Sequence, residues 1–114
     1  MKLDTLEEVL TEIREEGKKY LEFIRVPDLS VGVYRLSPGA TDAQKPHTED
    51  EVYYVIAGRA KFWCAGEVAD VTAGSVLFVE RGVEHRFIEI TEELVLLVMF
   101  GPAESTLAPA ANNK

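Results

Sequence analysis

The sequence predicts an all-β fold of short antiparallel strands with one helix in front. Two observations carry this. From Tyr20 to Phe100 the chain strings together segments of strand length rich in Val, Ile, Phe and Tyr: YLEFIRV, SVGVYRL, EVYYVIA, AKFWCA, EVADV, SVLFVE, HRFIEI and LVLLVMF. The breaks between them hold PD, SPGATD, AG, TAG, RG and TEE, which is turn chemistry recurring roughly every ten residues. Many short strands in one small domain pack as a sandwich, a barrel or a jelly roll.

Ahead of the strands, Leu6, Val9, Leu10 and Ile13 fall at helical spacing and predict a helix over residues 4–16. Asp4 and Glu7 stand as its capping box and Gly17 as its stop. Within EVYYVIA, side-chain alternation puts Glu51, Tyr53, Val55 and Ala57 on one face and Val52, Tyr54 and Ile56 on the other. LVLLVMF and SVLFV are unbroken apolar runs, so both of their faces need cover. The helix can cover one face and a second copy of the chain another, which makes a homodimer the expected assembly.

A chain of 114 residues with 46% hydrophobic content supports one domain with one modest core. Its formal net charge of -8 disfavours nucleic acid and anionic membrane surfaces, both of which need a basic footprint. The N-terminus MKLDTLEEVLTEIREEGKK carries acidic residues along its length and holds no apolar run of signal-peptide length, and no later stretch reaches membrane-spanning length. A soluble, cytoplasmic protein is expected. Cys64 is the single cysteine, so no internal disulfide can form. No basic cluster or histidine stands near it in sequence to activate the thiol, and a packing role is expected for it and for Trp63.

The two histidines, His47 and His85, each sit at a strand edge. His47 precedes Glu51 by four residues, and His85 opens HRFIEI after the turn ERGVE. An ionised glutamate on so apolar a strand is costly unless something pairs with it. A divalent cation would serve, because imidazole nitrogen and carboxylate oxygen are ordinary ligands of zinc, iron, manganese and nickel. Tyr53, two residues beyond Glu51 on the same face, fills core and can turn its hydroxyl toward such a site. No nucleophile with a paired base, phosphate-cradling glycine loop or zinc-finger spacing is present.

Residues 39–89 resemble the two motifs of the cupin superfamily. In the first motif, Gly39 is followed by five residues, then Lys45, Pro46 and His47, three residues, Glu51, six residues and Gly58. The motif has a histidine where Lys45 stands. In the second, Gly74, Gly82 and His85 fall at the matching places, with Glu80 where the motif has proline and Glu89 where it has asparagine. The fifteen residues between Gly58 and Gly74 are similar to the short spacing of small microbial cupins.

That resemblance implies a cupin-type jelly-roll barrel over residues 20–102, preceded by a helical segment, 1–19, and followed by a flexible tail, 103–114. It implies a divalent metal ion (Fe, Mn, Ni or Zn) held by His47, Glu51 and His85. A protonated Lys45 cannot donate a lone pair to a metal. Three ligands then leave open positions, as in two-histidine, one-carboxylate iron oxygenases. Alternatively the metal is weak or absent and Lys45 pairs with an organic anion or with Glu51. Lys45 and Tyr53 are the candidates for a catalytic role. The implied function is a metal-dependent enzyme of dioxygenase, isomerase or lyase type acting on a small molecule; the alternative is a non-catalytic binding or sensing barrel.

Overall fold

Leu6–Glu16 form the helix α1 in the computed structural model, which describes residues 1–107. The Thr5 hydroxyl accepts the Glu8 N–H at 3.2 Å, and the Glu8 carboxylate accepts the Thr5 N–H at 3.0 Å. The capping box thus lies one residue later than the expected Asp4 and Glu7, because Thr5 takes the extended cap conformation. Gly17 ends the helix in the left-handed conformation, as its position predicts.

Six strands follow: β1 (Tyr20–Val26), β2 (Leu29–Leu36), β3 (Asp50–Cys64), β4 (Glu67–Thr72), β5 (Val76–Val79) and β6 (His85–Gly101). Two expected breaks lie inside strands: EVYYVIA and AKFWCA join as β3, and HRFIEI and LVLLVMF join as β6. These two pair antiparallel from Asp50↔Gly101 to Cys64↔His85, with register shifts between Val55 and Lys61. Such bulges bend a strand without ending it. At Gly58, φ is 103° and an added Cβ would lie 2.2 Å from the Glu93 carbonyl oxygen, so only glycine lets β3 approach β6 here. On β6, Glu89 has φ 48° and inverts the alternation: Phe87 and Ile90 are both buried while Glu89 faces solvent.

The bend is sharp enough to bring the ring of Tyr53 to 5.9 Å from that of Phe62. A straight strand would separate residues nine apart by roughly 30 Å. The sheet therefore folds over a core that includes Tyr53, Val55, Phe62, Phe87, Leu94 and Leu96.

The expected jelly-roll barrel is not formed. The strands make one sheet in the order β1-β2-β6-β3-β4, with β5 beside β3, and that sheet does not close. Among the described residues β1 pairs only with β2, and β4 only with β3, so the two end strands do not meet. Bending at the bulges encloses the core without the closing hydrogen bonds a barrel needs. The mostly-β fold with one N-terminal helix stands; the barrel does not.

A second, smaller cluster packs Val9 and Ile13 of α1 against Leu21, Val33 and Val95 on the outer face of the sheet. Among the described residues no helix is long and apolar enough to cross a membrane. Residues 103–107, the start of the expected tail, dock on the body. Ala103 is buried, the Glu49 carboxylate accepts the Ser105 and Leu107 N–H groups at 2.7 and 2.9 Å, and Ser30 Oγ accepts the Glu104 N–H. The rest of that tail, 108–114, lies outside the described residues.

Candidate metal centre

Glu51 enters the interior because β3 alternates as its sequence predicts: Glu51, Tyr53 and Val55 are buried, and Val52, Tyr54 and Ile56 face the other way. It lies between Val79 of β5 and Phe100 of β6, in the middle of the sheet, and is buried. His85 arrives as the first residue of β6, positioned by the turn at Gly82, whose N–H donates to the His47 carbonyl at 2.8 Å. His47 arrives from the loop before β3 and packs its ring against Phe100. The two motifs, far apart in sequence, thus deliver their histidines to one point.

Ligand-type atoms of His47, Glu51 and His85 all lie within 4.8 Å of one another. Glu51 Oε1 is 3.1 Å from His85 Nε2 and 3.7 Å from His47 Nε2. Two donors bonded to one ion at about 2.1 Å stand roughly 3.0–3.4 Å apart, so this spacing suits a shared cation. The His85 Nδ1–H donates to the Val83 carbonyl at 2.9 Å, since a carbonyl can only accept. Nε2 is therefore the nitrogen left to face Glu51. Both Glu51 oxygens are buried without a hydrogen-bond partner among the described residues, although His85 Nε2 approaches to 3.1 Å. A buried carboxylate left this way requires positive charge beside it. A divalent ion supplies that charge, and the residues present fit one.

The surroundings act on the two imidazoles in opposite directions. Burial lowers the pKa of His47, outweighing the pull of Glu51, which keeps its ring neutral and able to donate a lone pair. Burial also works against charge on His85, but the Glu51 carboxylate beside it and the Val83 carbonyl raise its pKa overall.

These groups open onto a cavity of about 200 Å³ lined by Tyr20, Tyr34, Gln44, His47, Glu51, Tyr53, Val98, Phe100 and Glu104. The Tyr53 hydroxyl donates to Gln44 Oε1 at 2.9 Å and sits 3.1 Å from His85 Nε2. The Tyr20 hydroxyl is buried and has no hydrogen-bond partner among the described residues. Glu104, 3.7 Å from His47 Nδ1, has its pKa raised by burial and by the carboxylates of Glu22, Glu51 and Glu49. Lys45 is exposed and lies outside this lining, so it neither neutralises Glu51 nor offers a cation to a ligand there. Glu89 is likewise outside. The Cys64 thiol is pushed up by burial and by Glu67, in keeping with an unreactive packing role.

Sequence reasoning missed Asp42, Gln44, Tyr20, Tyr34 and Glu104. Asp42 sits in SPGATD, which reads as turn chemistry, yet its carboxylate is buried and accepts the Phe87 N–H and the Tyr34 hydroxyl. No spacing signal marked Gln44. Glu104 was hidden by the small polar composition of the segment around it.

The profile of the Cupin domain family matches residues 32–100. An uncharacterized protein of Streptomyces coelicolor is 46% identical over 105 residues, covering 92% of this chain and 100% of its own. Among solved structures, a conserved Klebsiella pneumoniae protein with a double-stranded beta-helix domain superposes with a TM-score of 0.73 at 20% identity, covering 90% of both chains. A salicylate 1,2-dioxygenase from Pseudaminobacter salicylatoxidans superposes with a TM-score of 0.68 at 19% identity, over 82% of this chain and 32% of that one. At these identities the structural likeness speaks for the fold alone.

Proposed function

Since the chain belongs to the Cupin domain family, we propose that it is a small metal-dependent enzyme, of dioxygenase, isomerase or lyase type, that holds a divalent ion on His47, Glu51 and His85. The observation that carries this reading is the buried, unbonded Glu51 carboxylate facing His85 Nε2 at 3.1 Å. When bound, the ion supplies a Lewis acid with open positions for a small substrate.

The chain's own residues do the rest. Val98 and Phe100 give the cavity an apolar wall. The unpartnered Tyr20 hydroxyl is free to bond a polar atom of the substrate, and Glu104 holds a proton more readily than an ordinary carboxylate. The volume equals roughly seven water molecules at ~30 Å³ each, which limits the substrate to a small molecule. Among the described residues the cavity lining contains no lysine or arginine, so within that lining an anionic substrate would have the ion as its cationic partner apart from a protonated histidine.

Elemental analysis after incubation with Fe, Mn, Ni and Zn, for wild type and for Glu51→Ala, tests the metal. Near-stoichiometric metal in wild type, lost in the variant, supports the reading. Wild type that takes up none of the four ions contradicts it.

The homodimer is proposed through the outer face of β3 and β5, where Tyr54 pairs with Val76 and Val52 with Phe78. Val76 and Phe78 are 67% and 66% exposed, which is unusual for adjacent large apolar side chains. Light scattering should give twice the chain mass for wild type and the monomer mass for Phe78→Glu; a monomeric wild type contradicts the assembly.

A further inference from the structure

We propose that the side-chain carbonyl oxygen of Gln44 is a fourth donor to the cation, completing the set begun by His47, Glu51 and His85. This deepens the metal reading and rests on it. Gln44 Oε1 lies 3.0 Å from His47 Nε2, a separation that suits two donors on one ion as well as the 3.1 Å between Glu51 and His85 does. It is on the cavity wall, whereas Lys45 next to it is exposed. An amide oxygen is a competent ligand for hard and borderline divalent ions, and unlike lysine it needs no deprotonation.

The amide could in principle turn either end to the site. Its orientation is set from behind. Gln44 Nε2–H donates to Asp42 Oδ2 at 2.7 Å, and that carboxylate is held in turn by the Phe87 N–H at 2.9 Å and the Tyr34 hydroxyl at 2.8 Å. Asp42 is only 3% exposed. A carboxylate accepts and cannot donate, so the amide nitrogen faces Asp42 and the oxygen must face His47. The Tyr53 hydroxyl, donating to the same oxygen at 2.9 Å, requires the same orientation. Buried Asp42 therefore acts as a positioning residue: it orients Gln44 as a carboxylate behind a ligating imidazole orients that ring.

Cobalt(II) titrations of wild type, Gln44→Leu, Gln44→Glu and Glu51→Gln test this, following both affinity and the visible ligand-field spectrum. Loss of a donor should weaken Gln44→Leu by about tenfold or more, and should change band position and intensity. Gln44→Glu, which keeps an oxygen there, should retain a wild-type-like spectrum. If the Gln44→Leu spectrum is unchanged, whatever its affinity, Gln44 is not a donor; should Glu51→Gln abolish binding in the same series, the three-residue centre survives without it. If wild type binds no cobalt, the metal reading itself fails and the inference falls with it. Circular dichroism of each variant separates loss of a ligand from loss of the fold.

Discussion

Glu51 and His85 reach each other from two different strands, 3.1 Å apart and 2% and 1% exposed. A contact so deep between a carboxylate and an imidazole is stable only with positive charge in it. A divalent ion that binds the folded chain alone should therefore stabilise it. At a free concentration one hundred times its Kd the gain is about 2.7 kcal/mol, a rise in Tm on the order of 10 °C. Glu51→Gln should show no such rise. Differential scanning calorimetry with and without metal checks both, and an equal shift in the variant would place the ion elsewhere.

Gly58 and Gly32 separate two kinds of crowding. A Cβ at Gly58 meets the Glu93 backbone at 2.2 Å with φ at 103°, whereas at Gly32 it meets the Tyr20 hydroxyl at 2.3 Å. Backbone cannot swing away, but a tyrosine side chain can turn. Gly58→Ala should cost about 3 kcal/mol or more, and Gly32→Ala about 1–2 kcal/mol while displacing Tyr20 from the cavity. Urea denaturation ranks the two; equal losses would contradict the distinction.

Glu49 ties residues 105 and 107 to the body. Burial alone would raise its pKa, but hydrogen bonds from the Thr48 hydroxyl and the Leu107 and Ser105 N–H groups leave it lowered. A carboxyl with a depressed folded pKa contributes stability above its unfolded value, about 4.3, and loses it as pH falls through the folded value. Glu49→Gln should cost about 1–2 kcal/mol at pH 7, with the gap from wild type shrinking below pH ~4. Denaturation curves at pH 7 and pH 3 measure it, and a gap independent of pH would contradict the ionised clamp.

Lys45, two residues before His47, is exposed. Lys45→Ala should leave metal content unchanged and stability within about 0.5 kcal/mol. Loss of metal in that variant would contradict the outward placement.

Local pattern made much of this fold legible. β1 coincides with YLEFIRV, and the alternation of Glu51, Tyr53 and Val55 is the one that EVYYVIA predicts. The joins within β3 and β6 were not legible, because Gly58 and Thr91-Glu92-Glu93 look like turns when they are bulges in continuous strands. Whether the sheet closes depends on pairing between end strands, which no local pattern records. At the site, motif spacing picked out His47, Glu51 and His85, while Asp42 and Gln44 escaped notice because their roles depend on contacts with Phe87 and Tyr34 across the fold.

The most direct test is a crystal soaked in manganese or iron and measured at that metal's absorption edge. The account expects one anomalous peak within bonding distance of His47 Nε2, Glu51 Oε1 and His85 Nε2. A map with no peak there, or a peak confined to surface carboxylates, would contradict the metal centre.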